Sequence, residues 1–281
     1  MNLYQRCLQS PVLLCSFRPF FVFAAASAVL FMGIWLLALQ GWLPALDVPG
    51  GWTHWHAHEL LFGFAAAATA GFALTAIPEF THTGFMAERP LLQMSLLWLA
   101  ARIAYVLAGW ISFWPALLLN LAFWAFLLWR IVPPTWQDPQ RRHISFPLAV
   151  VALAGIQSGF FINLHLHGNA LNWLYAAAHL FMVLIILAAS RVSMSVVNNL
   201  VESSRSISDP DAAIYLARPP RRNLAMACIL LCAGTELALG NNPVAGWTAL
   251  AAMAAVLHLL NDWHIGKPLL SRLALMLYGS Y

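Results

Sequence analysis

The strongest constraint on this chain is a succession of apolar runs, each near the roughly 20 residues a helix needs to cross the hydrocarbon core of a bilayer. Eight runs can be read, with soft edges, at residues 19–39, 55–77, 91–108, 112–129, 146–162, 171–189, 224–239 and 244–260. A ninth apolar piece, 268–278, is too short to cross. Composition agrees: 62% of the 281 residues are hydrophobic and 9% are charged, against about 25% charged in a soluble domain. That leaves too little polar surface to keep a globule wet, so lipid must act as solvent. The expected fold is all-α: a polytopic transmembrane bundle of about eight spans plus a short C-terminal apolar helix, forming one integral membrane domain over residues 1–281.

Charge placement gives the topology. Arg6 and Arg18 precede the first run, and Arg89 follows the second. Arg130, Arg141 and Arg142 follow the fourth; Arg191, Arg205, Arg218, Arg221 and Arg222 follow the sixth; Lys267 and Arg272 follow the eighth. The odd-numbered connections hold no Lys or Arg. The positive-inside rule then puts the N-terminus and the even connections in the cytoplasm. The excess of 14 Lys+Arg over 10 Asp+Glu is a topology signal, and a nucleic-acid partner is not expected. The segment after Arg18 suits a retained span better than a cleaved signal. Residues 192–222 read as a solvated cytoplasmic loop between spans six and seven. Pro133-Pro134 and Pro219-Pro220 read as helix stoppers, and the Trp residues suit interfacial belts.

Against this background "GWTHWHAHELLFGF", residues 51–64, stands out, because it sets His54, His56, His58 and Glu59 at the outward end of the second run. On a regular helix His54 and His58 share a face, and His56 meets Glu59. Other polar groups gather on the same side. His165 and His167 lie in the outer connection "NLHLHGN", as an H-x-H that points one way if extended. His179 sits about 9 Å and Arg102 about 10 Å below the outer surface, and Glu236 lies inside the outer end of the seventh run. Ionisable groups at such depth face a bundle interior or a wet cavity. Imidazole is the commonest ligand for Zn, Cu and Fe, haem iron included. A nearby carboxylate can ligate, relay protons or orient an imidazole.

The candidate metal or haem ligands are therefore His56, His58, Glu59, His179, His54, His165 and His167, with Arg102 and Glu236 as charge partners. The ordinary alternatives are concrete: His54 as an interfacial ring beside Trp52 and Trp55, and Arg102 as a structural partner of Glu59 or Glu236. His82, His143, His258 and His264 read as interfacial, with "NDWH" (261–264) a weak cluster. Cys7, Cys15, Cys228 and Cys232 read as packing residues, and no C-x-x-C-H haem attachment occurs. No phosphate loop, dinucleotide fingerprint or hydrolase motif is present, and no catalytic base can be named.

Three segments carry a resemblance. "FRPFF" (17–21), "WHAHELLFGFAAAATAGFALTAIPEF" (55–80) and "LLWLAARIAYVLAGW" (96–110) resemble the NnrS family. "SRVSMSVVNNL" (190–200) is similar to a degraded form of the family segment GRVIPxFTxNAL, and "KPLLSRLALMLYGSY" resembles the start of a later family helix. Typical members continue with further helices bearing another His and a Met-rich, Arg-containing stretch, so the resemblance implies a short or C-terminally incomplete member. It also implies a bacterial inner-membrane protein with haem and copper, linked to denitrification and to resistance to nitric oxide and nitrosative stress. The expected partners are the lipid bilayer, a small gas such as nitric oxide, and a membrane partner subunit or a second copy. The competing readings are a transporter or metal-delivery protein using the same His/Glu cluster transiently, and a non-catalytic accessory subunit.

Overall fold

The computed structural model describes residues 10–43, 47–86, 88–139, 141, 143–168, 170–204, 219–260 and 270–280. Arg6, Cys7, Arg142, the stretch 205–218, Asn261–His264 and Lys267, all used in the sequence reading, lie outside the described residues. Among those described there is no strand. After a 3₁₀ turn at Pro11–Leu14 come α1 (Phe17–Leu39), α2 (Gly51–Thr81), α3 (Glu88–Val106), α4 (Phe113–Gln137) and α5 (Ser145–His167). Then follow α6 (Leu171–Ser204), α7 (Pro219–Leu239), α8 (Pro243–Leu259) and the short α9 (Arg272–Ser280). Each of the eight apolar runs coincides with a helix. Helices α1, α2, α4, α5, α6 and α7 are long and apolar enough to cross a membrane. Helix α3 carries Glu88, Arg89 and Arg102, and α8 is an apolar helix of 17 residues. The protein is a multi-pass membrane protein.

The helices form two compact units, Met1–Ala177 and Ala178–Tyr281, with the division inside α6. In the first unit burial is inverted relative to a soluble protein. Leu30, Leu118 and Leu148 are exposed, while Ser27, Asn120 and Gln157 are buried. That inversion is expected where lipid is the outer solvent and polar groups must find partners inside. Trp42, Trp110, Trp114, Trp129 and Trp136 are exposed at or near helix ends, as belts require, but Trp55, Trp98 and Trp124 are core residues.

The family-like FRPFF segment packs α1 onto α2. A Cβ placed on Gly71 would come within 2.9 Å of the Phe21 ring and 3.0 Å of Phe20 Cβ, so glycine there lets the two helices close. Phe23 stacks on Trp98 of α3 at 4.9 Å. The Ser16 hydroxyl donates to Met86 O at 2.9 Å, tying the start of α1 to the connection after α2.

Three local readings are corrected by the structure. Pro133 and Pro134 lie inside α4, which runs on to Gln137. Proline deletes a donor and crowds the preceding turn but keeps a helical φ, and here Thr135 Oγ1 holds the turn by donating to Ile131 O and Val132 O at 2.8 and 2.9 Å. Pro219-Pro220, by contrast, opens α7, where a missing N–H costs nothing. His165 and His167 belong to the last turn of α5 instead of a loop, so alternate positions no longer share a direction. Helix α6 continues to Ser204, through the first part of the segment read as a solvated loop. His82 closes α2 in the left-handed region at φ 53°, a conformation in which His is enriched among non-glycine residues.

Candidate functional site

The N-terminal half of α2 is wound in two ways. Gly51–His58 is α-helical, Glu59–Ala65 is a π turn, and α-helix resumes at Ala66–Thr81. π turns are uncommon and cluster at functional positions. Neighbouring residues on an α-helix point about 100° apart and do not face each other. At this junction His58 and Glu59 do meet, with His58 Nδ1 and Glu59 Oε1 3.0 Å apart. The regular-helix expectation paired Glu59 with His56 instead. His56 stacks on Trp35 of α1, ring centroids 4.1 Å apart.

Glu59 is fully buried and Arg102 is 6% exposed. Arg102 Nη1 donates to Glu59 Oε1 and Oε2 at 3.3 and 3.2 Å, so of the two acids open to Arg102 in the sequence, the structure supplies Glu59. Arg102 Nη2 donates to Asn120 Oδ1 on α4, and Asn120 Nδ2 donates to Ala116 O at 2.8 Å. An isolated ion in such surroundings costs several kcal/mol, which pairing and hydrogen bonding offset.

The other side of His58 fixes its tautomer. The indole Nε1–H of Trp124 can only donate, and it lies 2.6 Å from Gln157 Oε1. The Gln157 amide therefore turns its N–H toward His58 Nε2, 2.9 Å away. His58 Nε2 must accept, so the ring proton sits on Nδ1 and is donated to Glu59. One directional chain thus runs from Trp124 through Gln157 and His58 to Glu59, where Arg102 also donates. Phe62, Tyr105, Phe160 and Phe161 surround the imidazole, with centroids 4.6 to 5.1 Å away. Gly63 keeps the pair close: a Cβ there would lie 2.7 Å from Phe31, 3.0 Å from Glu59 Oε2 and 3.2 Å from Arg102 Nη1. Trp98 Nε1 donates to Gly63 O at 3.2 Å, anchoring α3 to the π turn.

His54 does a different task. Its Nδ1 lies 2.7 Å from Gly50 O and its Nε2 accepts from Ala170 N at 3.3 Å, so the ring ties the left-handed start of α2 to the α5–α6 connection. His165 stacks on Phe113 at 4.2 Å. It edges a cavity of about 220 Å³ that reaches Tyr105 and Phe161, two of the rings around His58. His167 is exposed at the end of α5. In the second unit His179 Nδ1 lies 3.6 Å from Glu236 Oε2, and His179 Nε2 lies 3.6 Å from Cys232 Sγ.

Sequence reasoning missed Gln157, Asn120, Trp124 and the ring of Tyr105, Phe160 and Phe161. A signal existed for two of them: Gln157 in "AGIQSGFF" and Asn120 in "LLLNLAFW" are amides inside apolar runs, where each must find a partner. For the aromatic residues no signal separates ring from ordinary packing.

A comparison with protein families matches residues 11–281 to the family described as NnrS protein. The chain belongs to the NnrS family. No curated protein and no solved structure matches it. For a family associated with haem and copper, the donors present can be tested directly. Among the described residues, no group of three or more His, Cys, Asp or Glu side chains is arranged to hold a metal ion. The donor chemistry of His58 does suit a single-histidine ligand: its Nδ1–H is given to a carboxylate, the orientation that leaves Nε2 as the lone-pair atom in metal-bound histidines. In this NnrS chain that lone pair is held by Gln157, so the amide stands where an external ligand would bind. His56 Nδ1 and Arg102 Nε are buried side-chain atoms with no hydrogen-bond partner among the described residues.

Proposed function

We propose that this NnrS-family protein acts in the nitric oxide response of a bacterial inner membrane as a haem- or copper-binding protein, with its site at the periplasmic end of α2. The observation that carries this reading is the buried His58, whose Nδ1–H is committed to Glu59 and whose Nε2 is the remaining donor atom. His58 would hold the group through Nε2. Of the other candidates, His56 on the same helix offers a buried Nδ1 without a hydrogen-bond partner among the described residues, and His179, beside Glu236 in the second unit, is a separate candidate. Bound iron or copper would supply nitric oxide binding and electron transfer.

The protein's own residues perform the rest of the work. Glu59 fixes the tautomer of His58 and keeps the ring from turning, and Arg102 holds the Glu59 carboxyl in place through both of its oxygens. The aromatic residues exclude water while admitting a small apolar gas from lipid. The test is visible spectroscopy and metal analysis of protein purified from haem- and copper-replete cells, alongside His58→Ala and His56→Ala. A Soret band or stoichiometric copper in the wild type, lost in His58→Ala with folding retained, is the expected result. A colourless, metal-free wild type would sink the proposal.

A further inference from the structure

Three prolines interrupt the two helices of the first unit that finish at the same end. Pro78 lies in the last turns of α2, and Pro133 and Pro134 lie in the last turns of α4. A proline inside a helix leaves the carbonyl four residues earlier without its donor. Those carbonyls belong to Leu74, Trp129 and Arg130. All three residues, with all three prolines, line one cavity of about 270 Å³. In a membrane protein, backbone freed in this way persists only where it lines a cavity or meets another donor. The C-terminal ends of two helices also bring partial negative charge to this end of the unit.

One cation belongs to the same wall. The Arg130 guanidinium lies over the ring of its neighbour Trp129, 5.5 Å from the centroid. Among the described residues it makes no hydrogen bond or ion pair. Trp129 itself is 63% exposed, as suits a ring at a lipid headgroup level. The cavity thus brings carbonyls that proline deprives of their regular helical donor beside a guanidinium that has no acceptor among the described residues. A ligand satisfying both carries N–H donors and an anionic phosphate.

We propose that this cavity binds the headgroup of an aminophospholipid, with the primary ammonium donating to the freed carbonyls of Leu74, Trp129 and Arg130 and the phosphate held by the Arg130 guanidinium. Arg pairs strongly with phosphate oxygens, and basic pockets between membrane helices are known lipid-headgroup sites. The assignment uses no residue of the His58 cluster and does not depend on a cofactor.

The test is native mass spectrometry of the full-length protein in detergent, exposed in turn to phosphatidylethanolamine, phosphatidylcholine and phosphatidylglycerol. Choline's quaternary nitrogen has no N–H, and glycerol has no cation. The wild type is expected to retain phosphatidylethanolamine over phosphatidylcholine by about threefold to tenfold, the scale of one or two hydrogen bonds. Arg130→Gln should lose retention of all three lipids. Pro133→Ala, which restores an N–H to the Trp129 carbonyl, should weaken the preference for ethanolamine over choline. Arg141→Gln, a neighbouring basic residue that stacks on Trp136 outside the cavity, should behave as wild type. Equal retention of the ethanolamine and choline lipids by the wild type would overturn the proposal, as would an unaltered Arg130→Gln. Soluble phosphoethanolamine binding as tightly as the lipid would overturn the lipid source.

Discussion

Gln157 Nε2 lies 2.9 Å from His58 Nε2, and this one contact joins α5 to the α/π junction of α2. Its direction is set by Trp124, which leaves His58 a single consistent tautomer. Replacing Gln157 by Leu removes the donor to His58 and the acceptor for Trp124 together. Two buried polar groups are then left unmet, at about 1–3 kcal/mol each. The expected outcome is a lower melting temperature in detergent, whereas Gln157→Glu should keep the bond to Trp124 and lose the donor to His58.

The Glu59–Arg102 pair should show the asymmetry of a buried ion pair. Glu59→Leu or Arg102→Leu alone strands a charge inside the bundle and should destabilise by about 3–5 kcal/mol. The double variant removes both charges and should be less destabilised than the sum of the singles. A double-mutant cycle on thermal unfolding reads the coupling directly, and strict additivity would contradict the pairing at 3.2 Å.

Gly63→Ala should be costly and Gly33→Ala should not. A Cβ at Gly63 meets Phe31, Glu59 and Arg102, while a Cβ at Gly33 in α1 has nothing within 4 Å. Overpacking costs about 1–3 kcal/mol, and an unhindered helical alanine gains roughly 0.5–1 kcal/mol over glycine. The two melting temperatures should move in opposite directions.

His54 and His58 should separate stability from cofactor content. His54→Ala removes the ring that bonds Gly50 O and Ala170 N, so its expected effect is a loss of about 1–3 kcal/mol with metal or haem content per folded protein unchanged. His58→Ala should reduce that content. If both variants lose cofactor equally at matched folding, the division of labour between the two rings is wrong.

The sequence determined the all-α membrane class, the order of eight helical runs, the family, and His58, Glu59 and Arg102 as polar groups set in apolar runs. These follow from run length, local charge counts and motif identity, all of which are properties of contiguous stretches. The tertiary structure decided the partners: Arg102 with Glu59, Glu59 with His58 in place of His56, Gln157 on Nε2, and His54 on the backbone. It also kept Pro133-Pro134 within a helix and gave His165 and His167 to the end of α5. Partner choice depends on how each helix is rotated about its axis and where its winding departs from 3.6 residues per turn. A π turn at Glu59 shifts that rotation, and only packing against α1, α3, α4 and α5 selects it.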